Sequence, residues 1–267
     1  MPAGEYNPEN VDKSKMHQSF ANVIKQRSDA KKKLSGIKHI IGVYSAKGGV
    51  GKTTVSVNLA YALSMLGNKV GILDADIDCP NVAYFMGVGT GKFAGYPLVP
   101  LEKDGIKVIS TSMFFDDSSK PMIWRGPILT KMLNEFILDT EWGELDYLVI
   151  DLSPGTSDAP LSIMQLLPME GFVLVTTPQH IAAINTLKSG TMISKFGVGI
   201  LGVVENMSSG SIAAGAEVAE KLSCDVLGSV PWKGAISESA DKGMAAVLQD
   251  NEIKDIFVGI AKKIAKA

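Results

Sequence analysis

From residue 38 onward, the chain alternates short β-branched apolar runs with longer segments of helical period. The runs are KHIIGVYS at 38–45, KVGILDAD at 69–76, IKVISTS at 106–112, LDYLVIDL at 145–152, GFVLVTT at 171–177, VGILGVVEN at 198–206 and CDVLGSV at 224–230. Because they are apolar on both faces, they are typical of strands in a parallel sheet that helices cover. The pattern predicts an α/β fold of three layers, with a mostly parallel central sheet and helices on both faces.

Two units are predicted along the chain. Residues 1–37 form a basic N-terminal arm, in which Met16, Phe20 and Ile24 recur at helical spacing. This spacing predicts a short amphipathic helix, which docks either on the main domain or on a partner. Residues 38–267 form the main domain, and docking on this domain is the simpler expectation.

Composition narrows the class of protein. A hydrophobic share of 46% over 267 residues excludes disorder of the whole chain. No apolar run approaches the roughly 20 residues that span a bilayer, and the first residues lack the regions of a signal peptide. Cys79 and Cys224 are the two cysteines, too few for a disulfide framework. We therefore expect a cytoplasmic protein with no membrane partner.

Charge is spread unevenly along the chain. The net charge is −2, but residues 1–39 carry 8 Lys or Arg against 4 Asp or Glu, which gives +4 and leaves −6 for the rest. The arm has few aromatic residues and no motif for nucleic-acid recognition. We therefore expect its basic residues to form a solvated surface, and we expect no nucleic-acid partner.

The segment SAKGGVGKTT lies between the first predicted strand and a helical pattern. A glycine-rich turn in this context lets backbone N–H groups converge on phosphate oxygens at a helix N-terminus. The permissive backbone comes from Gly48, Gly49 and Gly51. Lys52 would then reach the β- and γ-phosphates of a nucleotide, and the Thr53 hydroxyl would ligate Mg²⁺.

The same segment has a second lysine, Lys47, which comes too early to contact the phosphates of its own loop. It is either a surface lysine or one that reaches another subunit. KGGVGKT resembles the deviant Walker A motif of the family that contains MinD, ParA, the nitrogenase iron protein and the Mrp/ApbC proteins. The resemblance implies a homodimer with ATP at its interface, in which Lys47 acts on the partner's nucleotide. It also implies that Val50 and Thr54 help to bind the nucleotide.

The stretch ILDADIDCPN ends a predicted strand with three alternating carboxylates, at Asp74, Asp76 and Asp78. This spacing puts all three on one side of the chain, at the sheet edge where open α/β folds bind ligands. An exposed acidic turn is the alternative. Similarity to the D-x-D segment of the family implies that Asp76 orients the attacking water and helps to hold Mg²⁺.

The stretch LDYLVIDLSPGTSD carries Asp151 to the same edge on a buried strand. It resembles Walker B followed by switch II, which implies that Asp151 holds Mg²⁺ through water and that the Gly155 N–H senses the γ-phosphate. The family usually has two prolines before this glycine. Ser153 stands in place of the first, so we expect a less rigid turn.

In GVVENM, Asn206 comes at the end of another predicted strand. An amide there can donate to and accept from an adenine edge, although an asparagine at a strand end is also a common turn former. The family uses an asparagine at this place for adenine, and the resemblance implies the same here. Pro231, after the next strand, would flank the base.

The segments WRGP and VENMS resemble the Mrp/ApbC branch, ATPases that carry iron–sulfur clusters to apoproteins, over about residues 38–265. The resemblance implies ATP hydrolysis and partners that are apoprotein clients or cluster donors. The branch normally has C-x-x-C just after ENMS, and this chain has none. Cys79 and Cys224 are each expected to be small buried hydrophobes, far apart in the sheet. We therefore expect an iron–sulfur cluster to be weakly held, absent or completed by a partner's ligands.

Two other functions compete. A MinD/ParA-like positioning switch would bind a membrane or a partner surface when it holds ATP. The C-terminal helix pattern could serve it with an apolar stripe beside lysines, although such a stripe also covers sheets. The stripe comprises Ile253, Ile256, Phe257, Ile260 and Ile264. A kinase or synthetase using the same phosphate loop is the third hypothesis, and it would have no need of Lys47.

Overall fold

The computed structural model describes residues 18–77, 79–89, 97–114, 133, 135–155, 158–210 and 213–266, with the backbone alone at 18–23, 114, 158 and 159. Met16, Asp78 and the WRGP segment lie outside these ranges, as does the side chain of Phe20.

A single eight-stranded sheet forms the centre of the described structure. Its strands are β1 (Ile37–Tyr44), β2 (Val70–Ala75), β3 (Leu101–Lys103), β4 (Ile106–Ile109), β5 (Leu145–Leu152), β6 (Gly171–Thr176), β7 (Gly199–Ser208) and β8 (Val226–Pro231). Their order in the sheet is β3-β4-β2-β5-β1-β6-β7-β8. All neighbouring strands are parallel except β3, which is antiparallel to β4. All seven predicted strands and the mostly parallel sheet are confirmed.

Helices cover both faces of the sheet. They are α1 (Gln18–Lys33), α2 (Lys52–Met65), α3 (Val82–Phe85), α4 (Asp158–Leu166), α5 (His180–Lys195), α6 (Ala213–Leu222), α7 (Gly234–Asp241) and α8 (Asn251–Ile264). Successive residues of one strand enter opposite layers of core, as Val149 and Ile150 do. Because core residues cover both faces of the sheet, the central strands carry apolar side chains on both faces, which confirms the three-layer α/β fold.

The edge strand β3 is not among the predicted strands. Its sequence, LEK, is short and charged, so it lacks an apolar run. It pairs with β4 through a two-residue turn in which Asp104 and Gly105 both have positive φ, 52° and 78°. Asp-Gly between two strands is a strong hairpin signal, and it would have located β3 in the sequence.

The arm contains the predicted helix, α1, which packs against α4. Ile24 is half-buried, whereas Ala30 and Leu34 are buried among the residues of the main core. The second half of the arm is therefore held by the same apolar packing as the sheet. The domain boundary at residue 37 stays a prediction.

The C-terminal stripe lies on α8 and faces inward. Ile253 and Phe257 are fully buried, Ile260 nearly so, and the helix packs against α2 and β8. Burial on the sheet leaves this stripe unavailable to a bilayer, so the sheet-covering interpretation is confirmed. No described helix is both long and apolar enough to cross a membrane.

Candidate functional site

The glycine-rich loop connects β1 to the first residue of α2. Gly49 and Gly51 have φ values of +76° and +85°, which residues with a side chain rarely adopt. No side chain caps the N-terminus of α2, so its first-turn N–H groups remain available as donors. Gly48 and Gly49 are exposed, and Val50 is buried. The loop therefore offers an open backbone cradle suited to an anion.

Lys52 is the first residue of α2 and only 8% exposed. Burial lowers the pKa of its ammonium, while the charges of Asp151 and Asp76 act in the opposite direction. A lysine in such surroundings lacks much of the hydration that an exposed lysine has. An oxyanion of a ligand would replace this lost hydration.

Asp151, near the end of β5, is 1% exposed and contacts two hydroxyl groups of α2. Its Oδ2 accepts from Thr53 Oγ1 at 2.6 Å, and its Oδ1 accepts from Ser56 Oγ at 2.8 Å. Burial raises the pKa of Asp151 to about 6, and the two hydroxyl bonds moderate the rise. Sequence reasoning missed Ser56, although its spacing of one helical turn from Lys52 was a usable signal.

The two alternating carboxylates that the structure describes, Asp74 and Asp76, have different environments, and Asp78 lies outside the described residues. Asp74 is completely buried opposite Asp151 in the strand register, where burial and the Asp151 charge raise its pKa well above the usual range. Its carboxylate accepts from the N–H groups of Asp76 and Val82 and from Ser110 Oγ at 3.2, 3.0 and 2.9 Å. Asp74 therefore anchors the segment that carries Asp76, which is half-buried.

These groups fit a magnesium ion. Thr53 and Asp151 present hard oxygen donors, and a cation would stabilise the ionised forms of the two adjacent buried carboxylates. Over the described residues, no group of three or more His, Cys, Asp or Glu side chains forms a metal cage. Mg²⁺ needs no such cage, because it retains waters and uses one or two carboxylates with substrate phosphates.

Gly155 lies against the phosphate loop. Its N–H donates to the Ala46 carbonyl at 2.9 Å, and its own carbonyl accepts from Tyr44 Oη at 2.5 Å. The N–H predicted to sense a γ-phosphate is thus already bonded in this structure, and it must leave Ala46 to contact a ligand. The Ser153 hydroxyl in the same turn is buried and has no hydrogen-bond partner in the described chain.

Asn206 is 3% exposed on β7, and its Nδ2 donates to the Val50 carbonyl at 2.9 Å. A side chain at Gly51 would overlap this amide, so the loop and β7 are in close contact. Asn206 and Pro231, the last residue of β8, border a cavity of about 210 Å³. Its other lining residues include Thr54, Phe85, Met207 and Trp232.

Sequence reasoning missed Phe85 and Trp232 in this cavity. Trp232 is 72% exposed, although its indole is largely apolar. It directly follows Pro231, so an aromatic residue beside the predicted base site was the available signal.

Lys47 does not form an ion pair within the described residues. Its Nζ donates instead to Oε1 of Gln179 at 2.7 Å, immediately before α5. The structure therefore places the second lysine on a neutral amide of its own chain.

The two cysteines are far apart in the protomer. Cys79 follows the C-terminal end of β2, and Cys224 precedes the N-terminal end of β8, with four strands between them. At about 4.8 Å per strand, this separation is roughly 24 Å across the sheet. The predicted separation is confirmed. The expectation that both are buried is wrong, because Cys79 is exposed, and Cys224 is only half-buried.

Comparison with known proteins identifies relatives over nearly the whole chain. The ParA family model of NUBPL iron-transfer P-loop NTPases matches residues 36–265. The iron-sulfur cluster carrier protein of Methanocaldococcus jannaschii is 40% identical over 260 residues, which cover 90% of this chain and 89% of that one. The carrier protein of Aquifex aeolicus is 40% identical over 258 residues, with coverage of 88% and 70%.

Two solved structures have a similar fold. One is a nucleotide-binding protein of Archaeoglobus fulgidus in complex with ADP, with a TM-score of 0.73 and 32% identity over 86% of this chain and 96% of that one. The other is the cell division ATPase MinD of Pyrococcus furiosus, with a TM-score of 0.65 and 26% identity over 85% and 98%.

Proposed function

Because this chain belongs to the family of NUBPL iron-transfer P-loop NTPases, we propose that it is a Mg²⁺-dependent ATPase that acts as a homodimer in iron–sulfur cluster assembly or transfer. The observation that carries the proposal is the hydrogen bond between Thr53 and Asp151, next to the buried Lys52. A glycine loop, a buried lysine and a hydroxyl–carboxylate pair are the parts that bind a nucleoside triphosphate. Its protein partners are apoprotein clients or cluster donors.

Different residues of the site bind the phosphates and the base of ATP. The loop backbone and the N–H groups at the start of α2 surround the phosphates, and Lys52 neutralises charge on the β- and γ-phosphates. Adenine occupies the cavity beside Asn206 and Pro231, where an apolar wall and an amide meet. Asn206 also holds the loop through Val50, so base and phosphate binding share one side chain.

Thr53, Asp76 and Asp151 would hold the magnesium ion, Asp151 through water. When bound, the ion supplies positive charge that neutralises the phosphates as the bond to the leaving group breaks. The chain's own contribution is to keep Asp151 ionised and oriented, which the hydroxyls of Thr53 and Ser56 do.

Asp76 orients the water that attacks the γ-phosphate. It is half-buried at the end of β2, and its Oδ1 accepts from the Cys79 N–H at 3.2 Å. When ATP is bound, the Gly155 N–H leaves the Ala46 carbonyl and donates a hydrogen bond to the γ-phosphate. The position of the turn at Gly155 therefore depends on whether a γ-phosphate is present.

We expect Asp76→Asn to bind ATP but to hydrolyse it on the order of 100-fold more slowly. The amide keeps the size of the side chain and leaves Lys52 and the loop intact, but it cannot accept a proton from water. The measurement is the steady-state rate of phosphate release, together with affinity for a fluorescent ATP analogue. The matched control is Asp255→Asn, which changes an exposed carboxylate on α8. Unchanged turnover in Asp76→Asn would assign the water-orienting role to another residue.

The cluster is cargo, and the protomer's own thiols do not form a four-cysteine site. In a two-fold dimer, Cys79 and Cys224 of either protomer remain at opposite ends of the strands. A bridged four-iron cluster generally needs four thiolates. Ligands from a client or a donor protein are therefore required to complete any cluster that this protein helps to move.

We expect anaerobic reconstitution with iron and sulfide to give a protein that loses its iron to a chelator. Cys79→Ser and Cys224→Ser should each leave the iron content unchanged, because neither thiol belongs to a complete site. Absorption spectra and metal analysis provide the measurement. Retention of about four irons per dimer after chelation, with loss on either substitution, would contradict this assignment.

A further inference from the structure

Two hydrogen bonds tie α5 to the start of the phosphate loop. Lys47 Nζ donates to Gln179 Oε1 at 2.7 Å, and the Ala46 N–H donates to Ser189 Oγ at 2.8 Å. Ser189 is completely buried, whereas the bond between Lys47 and Gln179 is exposed. The backbone contact is therefore part of the packed structure, and the side-chain contact can open without disturbing the core.

The Gln179 side chain is not needed to build α5. Gln179 occupies the N-cap position, but its side chain makes no capping hydrogen bond. Its carbonyl accepts from the N–H groups of Ala182 and Ala183 at 2.8 and 3.2 Å, and any residue at this position would supply this carbonyl. The amide is thus left to contact Lys47.

The chemistry of this contact makes it reversible. A neutral amide that accepts from an exposed ammonium competes with water, so the net gain from one such bond is small. A carboxylate at the same position would add charge attraction and hold the lysine more firmly. Since Lys47 forms no ion pair in the described chain, Gln179 is the group that keeps its side chain in a defined place.

We infer that Gln179 is a positioning residue, which holds Lys47 within its own protomer until nucleotide-dependent dimerisation draws the lysine to the other subunit. This inference rests on the proposed role of Lys47 across the dimer interface. Breaking the bond to Gln179 is then part of the free-energy cost of dimerisation, and the strength of this bond shifts the nucleotide concentration at which dimers form.

Ala46 couples the contact between Lys47 and Gln179 to the bound nucleotide. Its carbonyl accepts from the Gly155 N–H, and its own N–H donates to Ser189. When Gly155 turns to a γ-phosphate, Ala46 loses this contact and keeps only the one to Ser189, so the backbone directly next to Lys47 is held less firmly. ATP therefore weakens the cis arrangement of the lysine at the same step at which it favours the dimer.

The test uses the full chain with a non-hydrolysable ATP analogue and Mg²⁺, and dimerisation is followed by analytical ultracentrifugation. Gln179→Ala should lower the analogue concentration for half-maximal dimerisation by about 2- to 10-fold, because one exposed hydrogen bond no longer opposes release. Gln179→Glu should raise it by a similar factor. In steady state, Gln179→Ala should lower KM for ATP and leave kcat unchanged. Gln165→Ala, an exposed glutamine on α4, is the matched control and should behave like the parent protein.

Opposite shifts in the two Gln179 variants cannot arise from general destabilisation. The inference is overturned if Gln179→Ala dimerises at the parent's analogue concentration or a higher one, or if Gln165→Ala shifts equally. In a Lys47→Ala background, Gln179→Ala should leave the residual hydrolysis rate unaltered, and an added effect there would also contradict the inference.

A Lys47→Ala variant separates failure of this inference from failure of the proposed function. If that variant dimerises like the parent protein, the role of Lys47 across the interface falls, and the inference falls with it. If Lys47→Ala loses the dimer while both Gln179 variants match the parent, the inference alone is wrong.

Discussion

Lys52→Ala is expected to abolish productive ATP binding, with a loss of affinity on the order of 100-fold or more. The ammonium is the main charge partner of the β- and γ-phosphates, and it is already desolvated before ligand binds. Its removal also takes the lysine charge away from Asp151 and Asp76, so the carboxylates at the loop repel the phosphates more strongly. Calorimetric titration with ATP and Mg²⁺ measures the change.

The control for this variant is Lys195→Ala. Lys195 is exposed in the last turn of α5, six residues beyond Ser189, so the variant removes the same charge from a surface lysine. Circular dichroism establishes that both variants are folded. Affinity and turnover equal to those of the parent protein in Lys52→Ala would refute the phosphate-loop assignment.

Lys47→Ala should keep nucleotide affinity in the isolated protomer but lose ATP-dependent dimerisation and most hydrolysis, by a factor on the order of 1,000. The reason is that Lys47 contacts Gln179 and not the loop's own phosphate cradle, so its charge is available to the other subunit. Ultracentrifugation with ATP and the rate of phosphate release are the two measurements.

Mixing variants distinguishes action across the interface from action within one protomer. In a mixed dimer of Lys47→Ala and Asp76→Asn, one site combines an intact Asp76 with Lys47 supplied by the other subunit. That site should hydrolyse ATP, although neither variant does so efficiently alone. If mixtures over a range of ratios restore no activity, Lys47 acts within its own protomer, and the trans model is wrong.

Much of the fold could be derived from local pattern. The seven predominantly apolar runs are strands, since burial on both faces favours apolar side chains on both faces. The strand β3 was not predicted, because an edge strand with the sequence LEK is not buried on both faces and needs no apolar run. Its sequence signal lies in the turn at Asp104 and Gly105. The stripe on α8 was ambiguous in sequence, because helices that cover a sheet and helices that lie on a membrane share one periodicity.

Some residues of the candidate site were easier to predict from the sequence than others. Loop spacing alone indicated Lys52 and Thr53, because their roles follow from positions at a strand-to-helix turn. The alternation put Asp74 and Asp76 on one side of the chain, and the family resemblance singled out Asp76. The folded chain shows that Asp74 is completely buried and that Asp76 is half-buried. One of the groups that surround Asp74 is Ser110, which directly follows β4 and is 36 residues away in the chain.

Periodicity and spacing were thus sufficient for the individual strands, the α/β class and the position of the glycine-rich loop, since each depends on residues that are close in the chain. The folded chain was needed to show that Gly155 already bonds to Ala46, that Asn206 holds Val50, and that Lys47 rests on Gln179. These contacts join segments more than 100 residues apart. Their geometry depends on which strands are neighbours and on where each strand ends, and no local pattern in the sequence encodes that information.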